Sequence, residues 1–408
     1  MLINKIIKST IGIKDHRVTR VSFDGKRIKI DLDLIRHRHL PCSVCRKKHN
    51  VRDRLKQRQW RHVPLWNIPV YICYRPARVN CTKHGIKVEK IPWSNGKSCL
   101  TKPMSIAMAT WAKILPMDVV GNLFGVCWNA VYSSVQQAVQ FGLSRRRKSR
   151  EVILGIDEIS RKKGHVYHTN IYDLTTKRLL ASFEGRDVES LIAFFKEWGK
   201  NNLKNIKGIC CDMWDPYLKA IKMYAPNAIV VFDKFHIVRQ LLNAVNDVRK
   251  QEAESKKRID PDTLKGTRYI WLKNPWNLND VQKQRLSYLE KLNLKINRAY
   301  LLKEHFRDFW TCHRKDVAKD FLDQWFLKAT HSRLKPMNNF AWMLREHEEG
   351  ILSYSKLPID NGAVEAMNNN AKAISHRARG YRSSKTFSTI LLHCLGGLSM
   401  PKVVHRFA

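Results

Sequence analysis

Two aspartates and two pairs of soft ligands mark where this chain could do chemistry. Asp157 stands in the run EVILGIDEIS and Asp212 in IKGICCDMW, each at the polar end of an otherwise apolar stretch. Carboxylate oxygens are the preferred ligands of hard divalent cations such as Mg²⁺ and Mn²⁺. Two adjacent carboxylates with no cation between them repel, and one keeps its proton. A pair of Mg²⁺ ions, or Mn²⁺ in their place, about 3.5–4 Å apart removes that conflict and can drive phosphodiester chemistry by activating an attacking oxygen and stabilising a leaving one. Asp212 is the candidate to bridge both ions and Asp157 to hold one. Taken singly, each is as readily an ordinary carboxylate at a strand end; only their joint placement makes the case. Glu158 is a weaker competitor because strand alternation points it away from Asp157, and Asp173 and Asp215 are further rivals.

The second constellation is Cys42-x₂-Cys45 followed, after an interval of 35 residues, by Cys81-x₂-His84. Each pair can offer two ligands to one tetrahedral Zn²⁺, and four protein ligands make such a site structural rather than catalytic. His49 and Cys73 are rival ligands, and reduced cysteines without metal are the plain alternative. The 10 cysteines show no disulfide framework, since Cys210, Cys211 and Cys394 sit in apolar surroundings. A reducing compartment is expected.

Composition bounds the partners. The chain has 408 residues, 44% hydrophobic, which is enough for a folded core in two or three domains. No apolar run approaches the roughly 20 residues of a membrane span, and MLINKIIKSTIG lacks the apolar core of a signal peptide. A non-secreted protein with no membrane role is expected. The formal net charge is +40, from 75 Lys+Arg against 35 Asp+Glu. Self-repulsion at that level is best relieved by a polyanion such as DNA. Residues 1–150 carry 31 Lys+Arg and 7 Asp+Glu, so the first third is the most basic part.

The elements that must position these residues follow from periodicity. Residues 18–34 alternate as a hairpin turning at Asp24-Gly25, and residues 68–80 read as a strand. With the Cys/His pairs they predict a zinc-ribbon-like module over 1–98. Residues 104–143 read as three helices, with Pro116 in the first turn of the second and Gly125 at the next turn. That layout predicts a helix-turn-helix within 99–150, closed by the basic linker from Arg145 to Arg150. Trp128, Asn129, Tyr132, Ser133 and Gln136 on the third helix are candidates to meet base edges or phosphates. The alternative is an αα-hairpin that keeps Trp128 and Tyr132 in its core.

From 151 the pattern runs three strands, helix, strand, helix, strand, helix. This is the ribonuclease-H-like order, in which the strands lie 3-2-1-4-5. Strands one and four are then neighbours, and their junction is where α/β sheets open a crevice. Asp157 and Asp212 would converge there. Asp233 and His236 follow the fifth strand, either as supports of the metal site or of a DNA phosphate, or as a helix cap with a packed histidine. Residues 254–355 lack strand patterns and are rich in aromatics: Tyr269, Trp271, Trp276, Phe306, Phe309, Trp310, Trp325 and Trp342. They predict an all-α insertion, splitting the catalytic domain into 151–253 and 356–408. The second part starts its helix near Asn361 and ends in a basic tail, where Arg377, Arg379 and Arg382 are candidate phosphate contacts. The expected architecture is an α/β ribonuclease-H-like catalytic domain with an all-α insertion, preceded by a zinc-ribbon-like module and a helix-turn-helix.

Four segments, GIDEIS, CDMWDPY, FDKFHIV and NGAVEAMNNNAKAISHRARGYR, together resemble the bacterial insertion-sequence transposases of the ISL-three family. The resemblance covers nearly the whole chain. It implies a DDE transposase that cuts and joins DNA at terminal inverted repeats and inserts it into target DNA. It also implies a third acid, Glu365 in VEAMNNN, beside Asp157 and Asp212. Glu365 would complete the second ion, and Asn368 and Asn369, one turn on, would orient a carboxylate, touch DNA or form a polar helix face. Ala366 departs from the glycine expected after the glutamate. His84 replaces a cysteine usual in the family. Expected with it are a homodimer or higher oligomer on DNA and a cytoplasmic, nucleoid-associated location. The competing functions are a transposase-derived DNA-binding regulator without catalysis and a ribonuclease-H-like nuclease that cuts but does not join.

Overall fold

The computed structural model of the chain describes residues 13, 15–35, 39–146, 151–162, 166–255, 261–359 and 362–402. The N-terminal run MLINKIIKSTIG, the linker residues 147–150 and the helix start at Asn361 lie outside the described residues. Two compact units form: one from Met1–Arg147 with Ala373–Ala408, the other from Lys148–Lys372. Residues 373–408 thus group with the first unit.

Among the described residues the first unit holds eight strands. They are β1 (His16–Phe23), β2 (Ile28–Leu34), β3 (His39–Pro41), β4 (Lys48–Arg54), β5 (Arg58–Leu65), β6 (Ile68–Tyr74), β7 (Ala77–Cys81) and β8 (Gly85–Val88). They form two four-stranded sheets, β1-β2-β6-β5 and β3-β4-β7-β8. The β1–β2 hairpin turns where expected, and Asp24 fixes it by accepting the backbone N–H groups of Lys26 and Arg27 at 3.2 and 2.9 Å. The stretch 68–80 is not one strand but β6 and β7, in different sheets. Arg75-Pro76 divides them, because proline has no N–H to continue a ladder. β4 and β5 escaped the sequence reading because KHNVRDR and RQWRHVPL carry too many polar residues to alternate cleanly. The core of this unit is aromatic, with Trp60, Trp93 and Tyr74 all buried.

Three helices follow: α1 (Lys102–Trp111), α2 (Met117–Phe124) and α3 (Trp128–Leu143). Thr101 caps the first, its hydroxyl accepting Met104 N–H at 3.3 Å. Pro116 is the N-cap residue of α2, one position before the turn expected for it. α2 ends at the left-handed Gly125 (φ +59°), and only Val126 and Cys127 separate that turn from α3.

The second unit is built on a five-stranded sheet of β9 (Val152–Lys162), β10 (Val166–Asp173), β11 (Arg178–Glu184), β12 (Ile206–Cys211) and β13 (Ile229–Phe232). The strand order is β11-β10-β9-β12-β13, the 3-2-1-4-5 arrangement expected. β9, β10 and β11 pair antiparallel; β12 runs parallel to both β9 and β13. Parallel pairs need crossovers. α4 (Val188–Trp198) and α5 (Lys200–Leu203) make the first and α6 (Asp215–Tyr224) the second. After β13 comes the long α7 (Lys234–Glu254).

From Pro261 to Ser355 every regular element is helical. The six α-helices there are α8 (Arg268–Leu272), α9 (Asp280–Glu290), α10 (Lys295–Phe306), α11 (Lys315–Thr330), α12 (Lys335–Glu346) and α13 (Glu348–Leu352). Their shared core includes Trp271, Phe306, Phe309, Trp325 and Phe340, and α7 packs into it through Ile237, Leu241 and Val245. Tyr269, Trp276 and Trp342, counted with the other aromatics in the sequence, instead lie exposed. Two helices close the chain, α14 (Gly362–Arg377) and α15 (Ser384–Leu395), the latter packed on α3. Among the described residues no helix is long and apolar enough to cross a membrane.

Candidate functional site

Three aspartates stand level across three adjacent strands, Asp157 midway along β9 and Asp212 and Asp233 just past the ends of β12 and β13. Gly155 of β9 is opposite Cys210 of β12, so Asp157 and Asp212, each two residues further on, share a level. Cys211 is opposite Phe232 of β13, so Asp212 and Asp233 share it too. Parallel pairing points all three chains the same way, which is why distant sequence positions end as one row.

Each acid in the row is held differently. Asp157 Oδ1 accepts the backbone N–H of Glu158 at 2.7 Å, and its Oδ2 accepts Asn368 Nδ2–H at 2.5 Å. Burial raises the Asp157 pKa to about 6; the Glu158 N–H opposes this, while the charge of Asp212 adds to it. Asp212 Oδ1 lies 2.8 Å from His236 Nδ1, and His236 Nε2 lies 3.6 Å from Asp233 Oδ2. Burial pulls the His236 imidazole down, but its hydrogen bond to Asp212 and the charges of Asp212 and Asp233 outweigh this and raise its pKa. Asp233 also caps α7, accepting Phe235 N–H at 2.6 Å, and its own pKa is raised, chiefly by burial. Asp233 thus caps α7 and faces His236 with the same side chain.

Glu365 sits in the first turn of α14, exposed. It lines a cleft of about 930 Å³ together with Asp157, Asp233, His236, Asn368 and Asn369. The cleft also carries Lys234, Arg239 and Lys372. Among the described residues, the acid-side ligand atoms that converge within 4.8 Å of one another belong to Asp212, Asp233 and His236. Asp157 and Glu365 are not members of that close group. Asn368 is buried and turned to Asp157, whereas Asn369 is exposed on the cleft.

The rival acids have other partners. Glu158 accepts Tyr217 O–H at 2.9 Å and pairs with Arg186 at 3.4 Å. Asp173 closes the β10–β11 turn by accepting the N–H groups of Thr175 and Thr176 and the Thr176 hydroxyl. Asp215 opens α6.

Sequence reasoning missed Asn170 and Tyr172 on β10. Asn170 is opposite Asp157 in the ladder. Its Nδ2 donates to Tyr172 Oη at 3.0 Å, and Tyr172 O–H donates to Asn368 Oδ1 at 2.6 Å. The signal was present: His168, Thr169 and Asn170 are three polar residues in succession within a strand, and all are fully buried.

The soft ligands also meet. The ligand atoms of Cys42, Cys45, Cys81 and His84 all lie within 4.8 Å of one another. Cys45 Sγ is 3.6 Å from Cys81 Sγ, and Cys81 Sγ is 3.4 Å from His84 Nδ1. The two turns match. Arg46 follows the first pair with φ +62°, and Gly85 follows the second with φ +67°. The Val44 N–H points at Cys42 Sγ, 3.4 Å away, as a thiolate acceptor would require. Of the rivals, His49 is near, 3.7 Å from Cys45, and Cys73 lies in β6, buried in the other sheet.

The candidate DNA-facing residues divide. Trp128, Asn129 and Ser133 are exposed on the first turns of α3; Tyr132 and Gln136 are half-buried. Trp128 stacks on Tyr132 with ring centroids 5.2 Å apart. Arg379 and Arg382 are exposed. Arg377 is half-buried. Its Nη1 donates to the carbonyls of Lys113 and Ile114 at 3.2 and 2.5 Å, tying the end of α14 to the loop after α1.

Known proteins match this chain along most of its length. A family model described as Transposase, of the ISL3 DDE type, matches residues 154–391, a span that contains Asp157, Asp212 and Glu365. The chain is 26% identical over 394 residues to the transposase for insertion sequence element IS1001 of Bordetella parapertussis, covering 95% of this chain and 97% of that protein. It is also 26% identical over 383 residues to the transposase for insertion sequence element IS1557 of Mycobacterium tuberculosis, covering 87% of this chain and 86% of that protein.

Proposed function

Because the chain belongs to this transposase family, we propose that it cuts and joins DNA strands at the ends of an insertion sequence through Asp157, Asp212 and Glu365. That it is a transposase, an enzyme acting on DNA, follows from the family and the relatives together. The observation that carries the residue assignment is the level row of Asp157, Asp212 and Asp233 on adjacent strands, beside a cleft that Asp157, Asp233 and Glu365 of α14 line together. Strand order and crossovers support reading the sheet as ribonuclease-H-like, with Pro261–Ser355 as its all-α insertion.

The residues present fit divalent cations. Asp157, its pKa raised to about 6 chiefly by burial and further by the charge of Asp212, is a carboxylate still short of positive charge, which the nearby His236 offsets only in part. Two Mg²⁺ or Mn²⁺ ions held by Asp157, Asp212 and Glu365 would supply that charge, activating an attacking oxygen and stabilising a leaving one. The protein's own part is positioning. His236 holds Asp212, while Glu158 N–H and Asn368 hold the two oxygens of Asp157. Lys234, Arg239 and Lys372 line the cleft as contacts for the DNA backbone.

In the first unit, we read Cys42, Cys45, Cys81 and His84 as a structural Zn²⁺ site in a ribbon-like module, supported by their convergence and paired turns. We read α2 and α3 as a helix-turn-helix presenting Trp128, Asn129, Tyr132 and Gln136 to the terminal inverted repeats, and the active form as a dimer or larger assembly on DNA. The test is Asp212→Asn. The variant should bind end DNA as the wild type does and lose cleavage and joining in Mg²⁺. Retained cleavage would remove the triad, and cleavage without joining by the wild type would favour the nuclease reading.

A further inference from the structure

The buried hydrogen bonds behind Asp157 have a direction. Asn170 Nδ2–H donates to Tyr172 Oη, Tyr172 O–H donates to Asn368 Oδ1, and Asn368 Nδ2–H donates to Asp157 Oδ2. Asn170 and Tyr172 are fully buried and Asn368 nearly so. Burial pushes the Tyr172 hydroxyl well above its ordinary pKa, so it remains a neutral O–H donor. With its only proton directed to Asn368 Oδ1, Tyr172 dictates which end of that amide faces Asp157. Were the amide reversed, its carbonyl would meet the carboxylate oxygen and the two acceptors would repel.

Asn368 lies three residues after Glu365 on α14, and residues so spaced are neighbours on one helix face. Both line the same cleft. The bond from Asn368 to Asp157 therefore joins the helix bearing one acid to the strand bearing another. Val364 reinforces the junction, because it packs on Gly155 of β9 with no room for a side chain there.

We propose that Asn368, oriented by Tyr172, is a positioning residue that fixes the Asp157 carboxylate and sets α14, with Glu365, at the distance the metal centre needs. The inference rests on the assignment of Asp157 and Glu365 as metal ligands. It gives Tyr172 and Asn170 a role in metal affinity although neither touches the cleft chemistry. Second-sphere changes of this kind typically weaken metal binding by about 10–100-fold.

The experiment measures Mn²⁺ binding directly, by the loss of free-ion electron paramagnetic resonance signal, on zinc-loaded full-length protein without DNA. Wild type, Tyr172→Phe, Asn368→Ala and Asp157→Asn are compared, with melting temperature and end-DNA binding recorded for each. Tyr172→Phe keeps shape and loses one hydroxyl, so it tests orientation with the least disturbance of the fold. The expected result is a shift of half-saturation to Mn²⁺ concentrations about 10-fold or more higher for Tyr172→Phe and Asn368→Ala, with end-DNA binding retained. Binding curves that superpose on wild type, even if melting drops, would assign these residues a merely structural role and overturn the proposal, provided Asp157→Asn has lost binding. Should Asp157→Asn bind Mn²⁺ as the wild type does, the ligand assignment itself fails and the proposal with it.

Discussion

Val364 of α14 packs onto Gly155 of β9 so closely that a Cβ added at Gly155 would lie 2.8 Å from Val364 Cγ2 and 2.7 Å from Leu174 Cδ2. The glycine of the GIDE segment is thus one point, with the Asn368–Asp157 hydrogen bond, at which the Glu365 helix touches the strand of Asp157.

Gly155→Ala is expected to push α14 away from the sheet and to cost about 1–3 kcal/mol in stability, as overpacking does. Cleavage should fall further than end-DNA binding, because the displaced helix carries Glu365. Thermal melting read beside the two assays checks this. Equal, small losses in both would show that Leu174 and Val364 simply move aside.

Asp157 gives the metal-free protein a pH dependence of definite sign. Its pKa rises from 3.8 to about 6 on folding, chiefly by burial. Between those values the native state binds more protons than the unfolded state, so stability falls as pH rises. The wild type should lose up to about 3 kcal/mol relative to Asp157→Asn between pH 4 and pH 7. Denaturant titrations of both proteins in chelator check it; parallel profiles would contradict the burial of this acid. Added Mg²⁺ should restore the wild type and leave the variant unchanged.

One zinc per chain is expected in purified protein. Cys81→Ala should lose the metal and destabilise the β3-β4-β7-β8 sheet, since β7 ends at Cys81 and β8 starts at Gly85, beside the second ligand turn. His84→Cys should keep it, because both residue types ligate Zn²⁺ tetrahedrally. Metal analysis by plasma emission, with melting curves, distinguishes the variants. A zinc-free wild type of unchanged stability would refute the site.

The arginines beyond α14 should separate by function. Arg377→Ala removes charged hydrogen bonds to the Lys113 and Ile114 carbonyls and should cost about 1.5–3 kcal/mol in stability. It should leave the salt dependence of end-DNA binding unchanged. Arg379→Ala should do the reverse, lowering the slope of log affinity against log salt by about 1 with little effect on melting. Binding isotherms over a salt series decide between them.

Much of this was legible in the chain. Apolar runs ending in acids located Asp157 and Asp212, and the alternation of strand and helix patterns anticipated the order of the large sheet. The two x₂ spacings picked out the cluster of Cys42, Cys45, Cys81 and His84, since residues so spaced share short local turns. The polar strands β4 and β5 and the split between β6 and β7 were not legible, because local pattern there is weak and sheet partnership is decided by contacts far along the chain.

What the sequence by itself determined was the basic character, the spacing that groups Cys42, Cys45, Cys81 and His84 and, through four motifs, the family. What only the tertiary structure decided was the use of particular polar groups. Arg377, a candidate phosphate contact, is tied to two carbonyls; His236, left open between a support of the acids and a packed histidine, hydrogen-bonds Asp212; Tyr172, which the sequence did not single out, donates to Asn368 beside Asp157. The reason is physical. Periodicity reports which face of an element is buried, but a buried polar group must find its partner wherever packing brings one. For Tyr172 that partner, Asn368, lies 196 residues away.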